Sequence, residues 1–365
     1  MAKRISALED THRALGAGLG EWNDMDVPWS YAHPAEQQLD AVRESAGLFD
    51  LTGLKKVWVK GSDAAAVIDK VSPRDMSKVT RGKAAYVPIL TDEGTICDDT
   101  IIYRIADDKY LFVYGTGTGP DRLALAAKGK NVTLEKDDDL HTLSLQGPKS
   151  MPLLNANAKA DIAALDFFDL TETELFGRKA IVSRTGYSGE RGYEIFVDRK
   201  DAVPVWNSIL KAGEKDGMVP CSFTCLNKGR MEAGLLFYPF DMNEAHTPWE
   251  VGLGWAVSRK KPDYLGREAA LQKQGKERFR LTGASAPSKE GIIAGGTDLY
   301  LNGEKVGVVS SSEYSHRLGR SLGLVHVRPG LAEGTRLTLG NEANAAEVTL
   351  EELPFYDKEK KRMRM

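Results

Sequence analysis

Cysteine is scarce: Cys97, Cys221 and Cys225 are the only three in 365 residues. An odd count, with three residues between the last two, supports neither a disulfide framework nor the CxxC spacing of a redox or zinc site. Histidine is sparse as well, and His12, His33, His141, His246, His316 and His326 form no HxH or HxxxH pair, so no metal centre is expected. No apolar run approaches the length of a membrane span, and the polar stretch after Met1-Ala2-Lys3-Arg4 lacks the apolar core of a signal peptide. A cytoplasmic protein in a reducing compartment is the expectation. An excess of either charge is also missing, since 49 Lys and Arg face 52 Asp and Glu for a net charge of -3. Neither nucleic acid nor a membrane is therefore expected as a partner.

What is present is a long chain with 42% hydrophobic residues, enough for two or three domains with cores of their own. Ile5 to Gly20 reads as a helix and Trp22 to Tyr31 as an irregular aromatic segment. Gln37 to Ala46 reads as a further helix and Leu48 to Leu51 as a strand. Two stretches then repeat a pattern. Val57 to Gly61 leads into a helix over Ser62–Lys70, and Leu143 to Gly147 leads into a helix containing Leu153 and Leu154. Each is followed by a long hairpin and closed by a helix, near Asp121–Lys128 and Ala202–Ala212. The strand-helix-strand-strand-helix-strand order is that of ferredoxin-like units, so the fold class is α+β with two related modules. Beyond the Lys260-Lys261-Pro262-Asp263 linker come six short strand patterns, with Asn302-Gly303 as a hairpin turn, which predict a small all-β domain.

Chemistry-bearing residues collect in a few places. Ser183 to Val197 runs strand, bend, strand, with Gly186, Gly189 and Gly192 in the bend and Glu194 on the outgoing strand. This is either a surface hairpin or a binding loop in which a carboxylate meets the N–H groups of a flat heterocycle. Asp98-Asp99 lies on a predicted strand, where period two sends the side chains to opposite faces, so only one can enter a site. Trp22, Trp29 and Tyr31 either plug a domain junction or line a pocket suited to a cationic or aromatic substrate. Arg230 either pairs at the surface or clamps a carboxylate. Gly115-Thr116-Gly117-Thr118-Gly119-Pro120 has neither GxGxxG nor P-loop spacing and reads as a turn into a helix.

In order and spacing, these stretches resemble the tetrahydrofolate-dependent aminomethyltransferase family, typified by the glycine cleavage T-protein. The resemblance starts at Arg43-Glu44-Ser45-Ala46-Gly47-Leu48-Phe49-Asp50 and continues through Gly82-Lys83-Ala84-Ala85-Tyr86, Gly94 to Asp99 and Thr185 to Glu194. It extends to Arg230 through Leu235, Gly252-Leu253-Gly254-Trp255, Tyr264 to Ala269 and Gly307 to Ser311. It implies three domains around a central folate channel. Residues 1–50 with 138–258 would be a folate-binding ferredoxin-like domain, 51–137 a second one carrying the catalytic aspartate, and 259–365 a β-barrel. It also implies tetrahydrofolate as the cofactor, Asp98 as the catalytic residue, and Tyr86, Phe168, Tyr187, Glu194 and Arg230 as folate contacts. Phe168 stands where a tyrosine is familiar, which keeps a stacking face and loses a hydroxyl.

The departures fall on the other substrate. Phe49-Asp50-Leu51-Thr52-Gly53-Leu54 replaces the Phe-Asp-Val-Ser-His-Met usual in glycine cleavage enzymes, and Tyr114 replaces an asparagine. The resemblance therefore leans toward the demethylating branch. The implied activity is transfer of a methyl group from a small methylated donor (a sulfonium, betaine or methoxy compound) to N5 of tetrahydrofolate, with Tyr114, Trp22, Trp29 and Tyr31 forming an aromatic donor wall. Two alternatives stay open: the glycine cleavage aminomethyltransferase, partnered by the lipoyl H-protein, and a non-catalytic folate-binding module.

Overall fold

The computed structural model describes residues 3–287, 293–342 and 345–365. A six-stranded mixed sheet, a five-stranded antiparallel sheet, a two-stranded hairpin and a closed barrel hold the strands of the chain. In the first sheet the strands stand in the order Leu170–Leu175, Arg178–Ser183, Gly192–Asp198, Leu140–Gln146, Gly47–Asp50 and Val219–Cys221. All its pairings are antiparallel except that of the last strand, which runs parallel to Gly47–Asp50. The second sheet has the order Lys83–Leu90, Ile96–Ala106, Lys109–Tyr114, Lys55–Lys60 and Thr133–Lys136. One face of each is covered by its own helices. Trp206 and Ile209 of helix Arg199–Gly213 pack on Leu143, Leu145 and Ile195 of the first sheet, while Val67, Ile68 and Leu123 pack on Val57, Ile102 and Phe112 of the second.

The opposite faces meet each other. Trp58, Ala84, Tyr103, Leu111 and Val113 of the second sheet form one buried cluster with Leu170 and Phe196 of the first. Main-chain bonds stitch the junction: Ala84 N–H donates to Phe168 O at 2.7 Å, and Leu170 N–H donates to Gly82 O at 2.9 Å. The two ferredoxin-like modules thus share a core along the faces free of helices. The C-terminal barrel closes through Arg280–Ala286, Arg320–Val327, Glu304–Ser315, Asp298–Leu301, Arg336–Leu339 and Glu347–Glu351.

One expectation about the N-terminal segment is corrected. The first helix covers only Glu9–Ala14, and the aromatic stretch is a β-hairpin, Gly18–Trp22 with Met25–Ser30. Its turn is Asn23-Asp24, with φ of 54° and 61°, the left-handed pair that Asn and Asp tolerate and that matches strand twist.

Among the described residues, no helix is long and apolar enough to cross a membrane, and no group of three or more His, Cys, Asp or Glu could hold a metal ion.

Candidate functional site

Alternation along Ile96–Ala106 builds one wall of the site. Ile101 and Tyr103 point into the junction between the sheets, while Ile102 enters the helix-side core. Asp99 shares the parity of Ile101 and Tyr103, and Asp98 that of Ile102. The half-buried Asp99 accepts the Tyr86 hydroxyl at 3.0 Å, and burial pushes its carboxyl up to about 6. Asp98 is turned the other way and is fully buried. Its Oδ2 accepts the Gly119 N–H at 3.0 Å, at the start of helix Gly119–Ala126, and its Oδ1 accepts the Asp99 N–H at 2.9 Å. Burial and then the charge of Asp99 push the Asp98 carboxyl well above the usual range, and these backbone donors offset only part of that. The glycine run 115–119 wraps this carboxylate: a Cβ on Gly117 would lie 2.5 Å from the Asp98 carboxyl carbon, and one on Gly119 2.7 Å from Oδ2. The expectation that Asp98 faces the site is therefore reversed by the geometry, which presents Asp99.

The facing wall comes from the first sheet. Glu194 lies on Gly192–Asp198, and its Oε2 accepts the Tyr103 hydroxyl at 2.7 Å and the Thr185 hydroxyl at 2.5 Å. Its Oε1 accepts no hydrogen bond among the described residues, although the side chain is buried and burial raises its carboxyl. The preceding bend is shaped over Gln146, against which a Cβ at Gly186 or Gly192 would come within 2.1 and 2.2 Å. Gln146 Nε2 donates to Thr185 O at 3.2 Å, and its Oε1 accepts the Ser188 hydroxyl at 2.8 Å. Tyr187 projects from the same bend and donates to Leu236 O.

Tyr86 stacks on Trp255, with centroids 6.4 Å apart and planes 28° apart, and the Arg74 guanidinium lies 5.6 Å over the same indole. Trp255 is 64% exposed. Next to it a cavity of about 390 Å³ is lined by Arg74, Lys78, Lys83, Phe167, Phe168 and Trp255. Phe168 has a φ of 70°, held by the main-chain bonds that join the sheets, and its ring meets Phe167 edge-on at 4.6 Å. Tyr86, Phe168, Tyr187 and Glu194 thus all stand around the junction of the sheets.

Arg230 does not offer a free fork. Its guanidinium donates to Asp241 at 2.7 Å, Asn227 at 2.9 Å, Ser311 at 3.1 Å and Leu235 O at 3.2 Å, tying helix Phe223–Glu232 to the barrel. The aromatic donor wall is not assembled either. Tyr114 lies in the helix-side core beside Phe112, and the buried Tyr31 is locked inside the first module by His12 Nδ1 at 2.8 Å. Trp29 packs on Phe223 at the surface, 41% exposed. Only Trp22 reaches toward the site, 6.4 Å from Phe237, whose ring lies under Arg230.

Sequence reasoning missed Tyr103, Thr185 and Trp255. Tyr103 carried a readable signal, since it lies four residues from Asp99 on the same face of a strand.

Comparison with known proteins now bears on this geometry. The GCVT N-terminal domain family matches residues 8–261, and the glycine cleavage T-protein C-terminal barrel domain matches residues 280–357. The chain belongs to the glycine cleavage T-protein family. Within that family it is 39% identical to the heme-dependent oxidative N-demethylase gamma subunit of Ectopseudomonas mendocina, over 98% of this chain and 97% of that protein. It is 33% identical to an aminomethyltransferase of Streptomyces avermitilis, over 98% and 99%. The crystal structure of glycine cleavage system aminomethyltransferase T from Bartonella henselae superposes with a TM-score of 0.90 at 24% identity, covering 98% of this chain and 99% of that one, which establishes the T-protein fold.

Proposed function

We propose that this T-protein family member is a tetrahydrofolate-dependent one-carbon transferase whose donor is a small methylated amine. The observation that carries the folate half is the buried Glu194, whose Oε2 accepts two hydroxyls while its Oε1 accepts no hydrogen bond among the described residues. A carboxylate in that state suits the ring N–H and amino group of a pterin, which both donate. Asp99 lies four residues from Tyr103 along one strand, about 13 Å at the rise of a β-strand, which leaves room for a bicyclic ring between Glu194 and Asp99. Tyr86 and Tyr187 supply faces and hydroxyls beside it. Arg74 and Lys78 at the cavity rim suit the carboxylates of the folate tail.

Asp99 then stands by the reacting nitrogen in place of Asp98. The lone pair of N5 attacks the methyl carbon of a cationic donor, the carbon–nitrogen bond breaks with its electron pair leaving on the amine, and N5 gives up its proton. Asp99 offsets the positive charge on N5 and is placed to take that proton. The charges of Glu244 and Asp99 act on Tyr238, so this side of the site sets carboxylates beside an aromatic ring, which favours an onium donor. The name of the Ectopseudomonas relative supports an N-methyl donor over the sulfonium and methoxy alternatives.

The second reading, aminomethyl transfer from a lipoyl H-protein, is favoured by the aminomethyltransferase relatives. Incubating the protein with tetrahydrofolate and a panel of N-methylated amines, a sulfonium and an aryl methyl ether, with folate products followed by mass spectrometry, separates them. A 5-methyltetrahydrofolate product from an N-methyl amine supports the proposal. Turnover of aminomethylated H-protein alone overturns it in favour of the second reading. Folate binding without any transfer leaves a binding module.

A further inference from the structure

The bend between Arg178–Ser183 and Gly192–Asp198 carries Tyr187 and leads into Glu194, and its glycines, Gly186, Gly189 and Gly192, leave it deformable. Its inner side rests on Gln146. Its outer end is held by two cations from distant parts of the chain. Arg43, on helix Ala35–Glu44, donates to Ser188 O at 2.7 Å and to Glu190 Oε1 at 3.1 Å. Arg362 lies beyond the last barrel strand, Glu347–Glu351. Its Nε donates to both oxygens of Glu190, at 2.9 and 2.8 Å, and its Nη2 donates to Arg43 O at 2.6 Å.

The chain between barrel and bend is pinned along its course. Phe355 packs with Met231, Leu322 and Leu324, and the Tyr356 N–H donates to Glu232 O at 2.8 Å. The Tyr356 ring meets both guanidiniums, 4.3 Å from that of Arg43 and 5.6 Å from that of Arg362. Asp357 Oδ2 accepts the Arg362 N–H at 2.7 Å, and Arg184, where the bend begins, donates to Met365 O.

Charge makes Arg362 more than a surface contact. The side chains of Glu190 and Glu232 are 2% and 1% exposed, and Arg43 pairs with both. One guanidinium does not neutralise two buried carboxylates. Arg362 supplies the second positive charge from the solvent side. Without it Glu190 is a buried charge short of a partner, which is costly, and the glycines let the bend relieve that cost by swinging Glu190 into water. Tyr187, three residues earlier on the same bend, would move with it.

We propose that Arg362 is a positioning residue for folate binding: by clasping Glu190 it locks the bend in the conformation that presents Tyr187 and Glu194 to tetrahydrofolate. This rests on the reading of the bend as part of the folate site. Residues 353–365 are then a strap from the barrel to that site. Because coupling between two sites is reciprocal, bound folate holds the strap down in turn. Lys358, Lys360, Lys361, Arg362 and Arg364 make the strap open to trypsin whenever it lifts locally.

The test joins two measurements. One is the dissociation constant of tetrahydrofolate, by anaerobic calorimetry, for wild type and Arg362→Gln. The other is the rate of tryptic cleavage within residues 358–364 of the wild-type protein, by mass spectrometry, with and without saturating tetrahydrofolate. Arg362→Gln should bind about five- to tenfold more weakly, the lower end of the usual coupling between sites, and the ligand should slow cleavage of the wild-type strap about as much. The second measurement stands even if the variant folds poorly, and a merely structural clasp would not make cleavage depend on the ligand. A folded Arg362→Gln variant with wild-type affinity overturns the proposal. So does a wild-type strap cleaved equally fast with and without tetrahydrofolate bound. Absence of tetrahydrofolate binding to wild type would instead remove the folate reading on which the proposal stands.

Discussion

Asp99→Asn is the substitution that separates the two adjacent aspartates. The amide keeps an acceptor for the Tyr86 hydroxyl, 3.0 Å away, so the local packing survives while the charge facing the site is lost. A group that offsets charge developing only in the transition state contributes about 2.7–4 kcal/mol, so kcat should fall about 100- to 1000-fold while the folate dissociation constant moves little. Asp98→Asn should behave differently. Asp98 bonds to the N–H groups of Gly119 and Asp99 and is already driven toward its neutral form, so the neutral amide costs on the order of 1 kcal/mol of stability and leaves turnover within a few-fold. The assay is steady-state turnover with the donor found in the screen, alongside folate titration and thermal unfolding of each variant. The pH profile adds an independent check. With Asp99 pushed up to about 6, wild-type kcat should fall below that pH as the carboxylate gains its proton, and Asp99→Asn should lose that limb. A folded Asp98→Asn variant reduced 100-fold, beside an active Asp99→Asn variant, would refute the assignment.

Arg43 is fully buried and bonds to Glu190 at 3.1 Å, Glu232 at 2.8 Å and Ser188 O at 2.7 Å, with the Tyr356 ring 4.3 Å below. Arg43→Met leaves the buried Glu232 without its cation, while Glu190 keeps Arg362 at 2.8 Å, and should cost about 3–5 kcal/mol, seen as a fall in Tm of roughly 10 °C by calorimetry. Tyr114→Phe, in the helix-side core beside Phe112, should leave donor turnover and folate affinity unchanged in the same assays, and a selective loss of donor use would restore it to the site. Tyr103→Phe should weaken tetrahydrofolate binding about tenfold in a calorimetric titration, because one donor that orients Glu194 is removed.

Local pattern made part of the site legible. The glycine-punctuated bend before Glu194 could be read because Gly186 and Gly192 answer to one local demand, the close approach of Gln146. The two modules could be read because strand, glycine and helix recur at matching places. The Asp98-Asp99 pair shows where such reading stops. Alternation says that the two side chains part, but which one meets the other module depends on how a distant sheet docks, and only the Tyr86 hydroxyl reveals it. The partner of Arg230 was not legible for a similar reason, since Asp241 follows an irregular segment whose course no periodicity predicts. Tyr114 and Tyr31 looked like site aromatics because aromatic side chains serve cores and pockets alike.

The most direct measurement is an anaerobic calorimetric titration of tetrahydrofolate into wild type and Glu194→Ala at neutral pH. The account predicts saturable one-to-one binding to wild type and an affinity at least about tenfold weaker in the variant, whose fold is checked by its Tm, since each lost bond to a charged acceptor is worth roughly 1.5–3 kcal/mol. Equal affinities, or no binding to the wild-type protein, would contradict it.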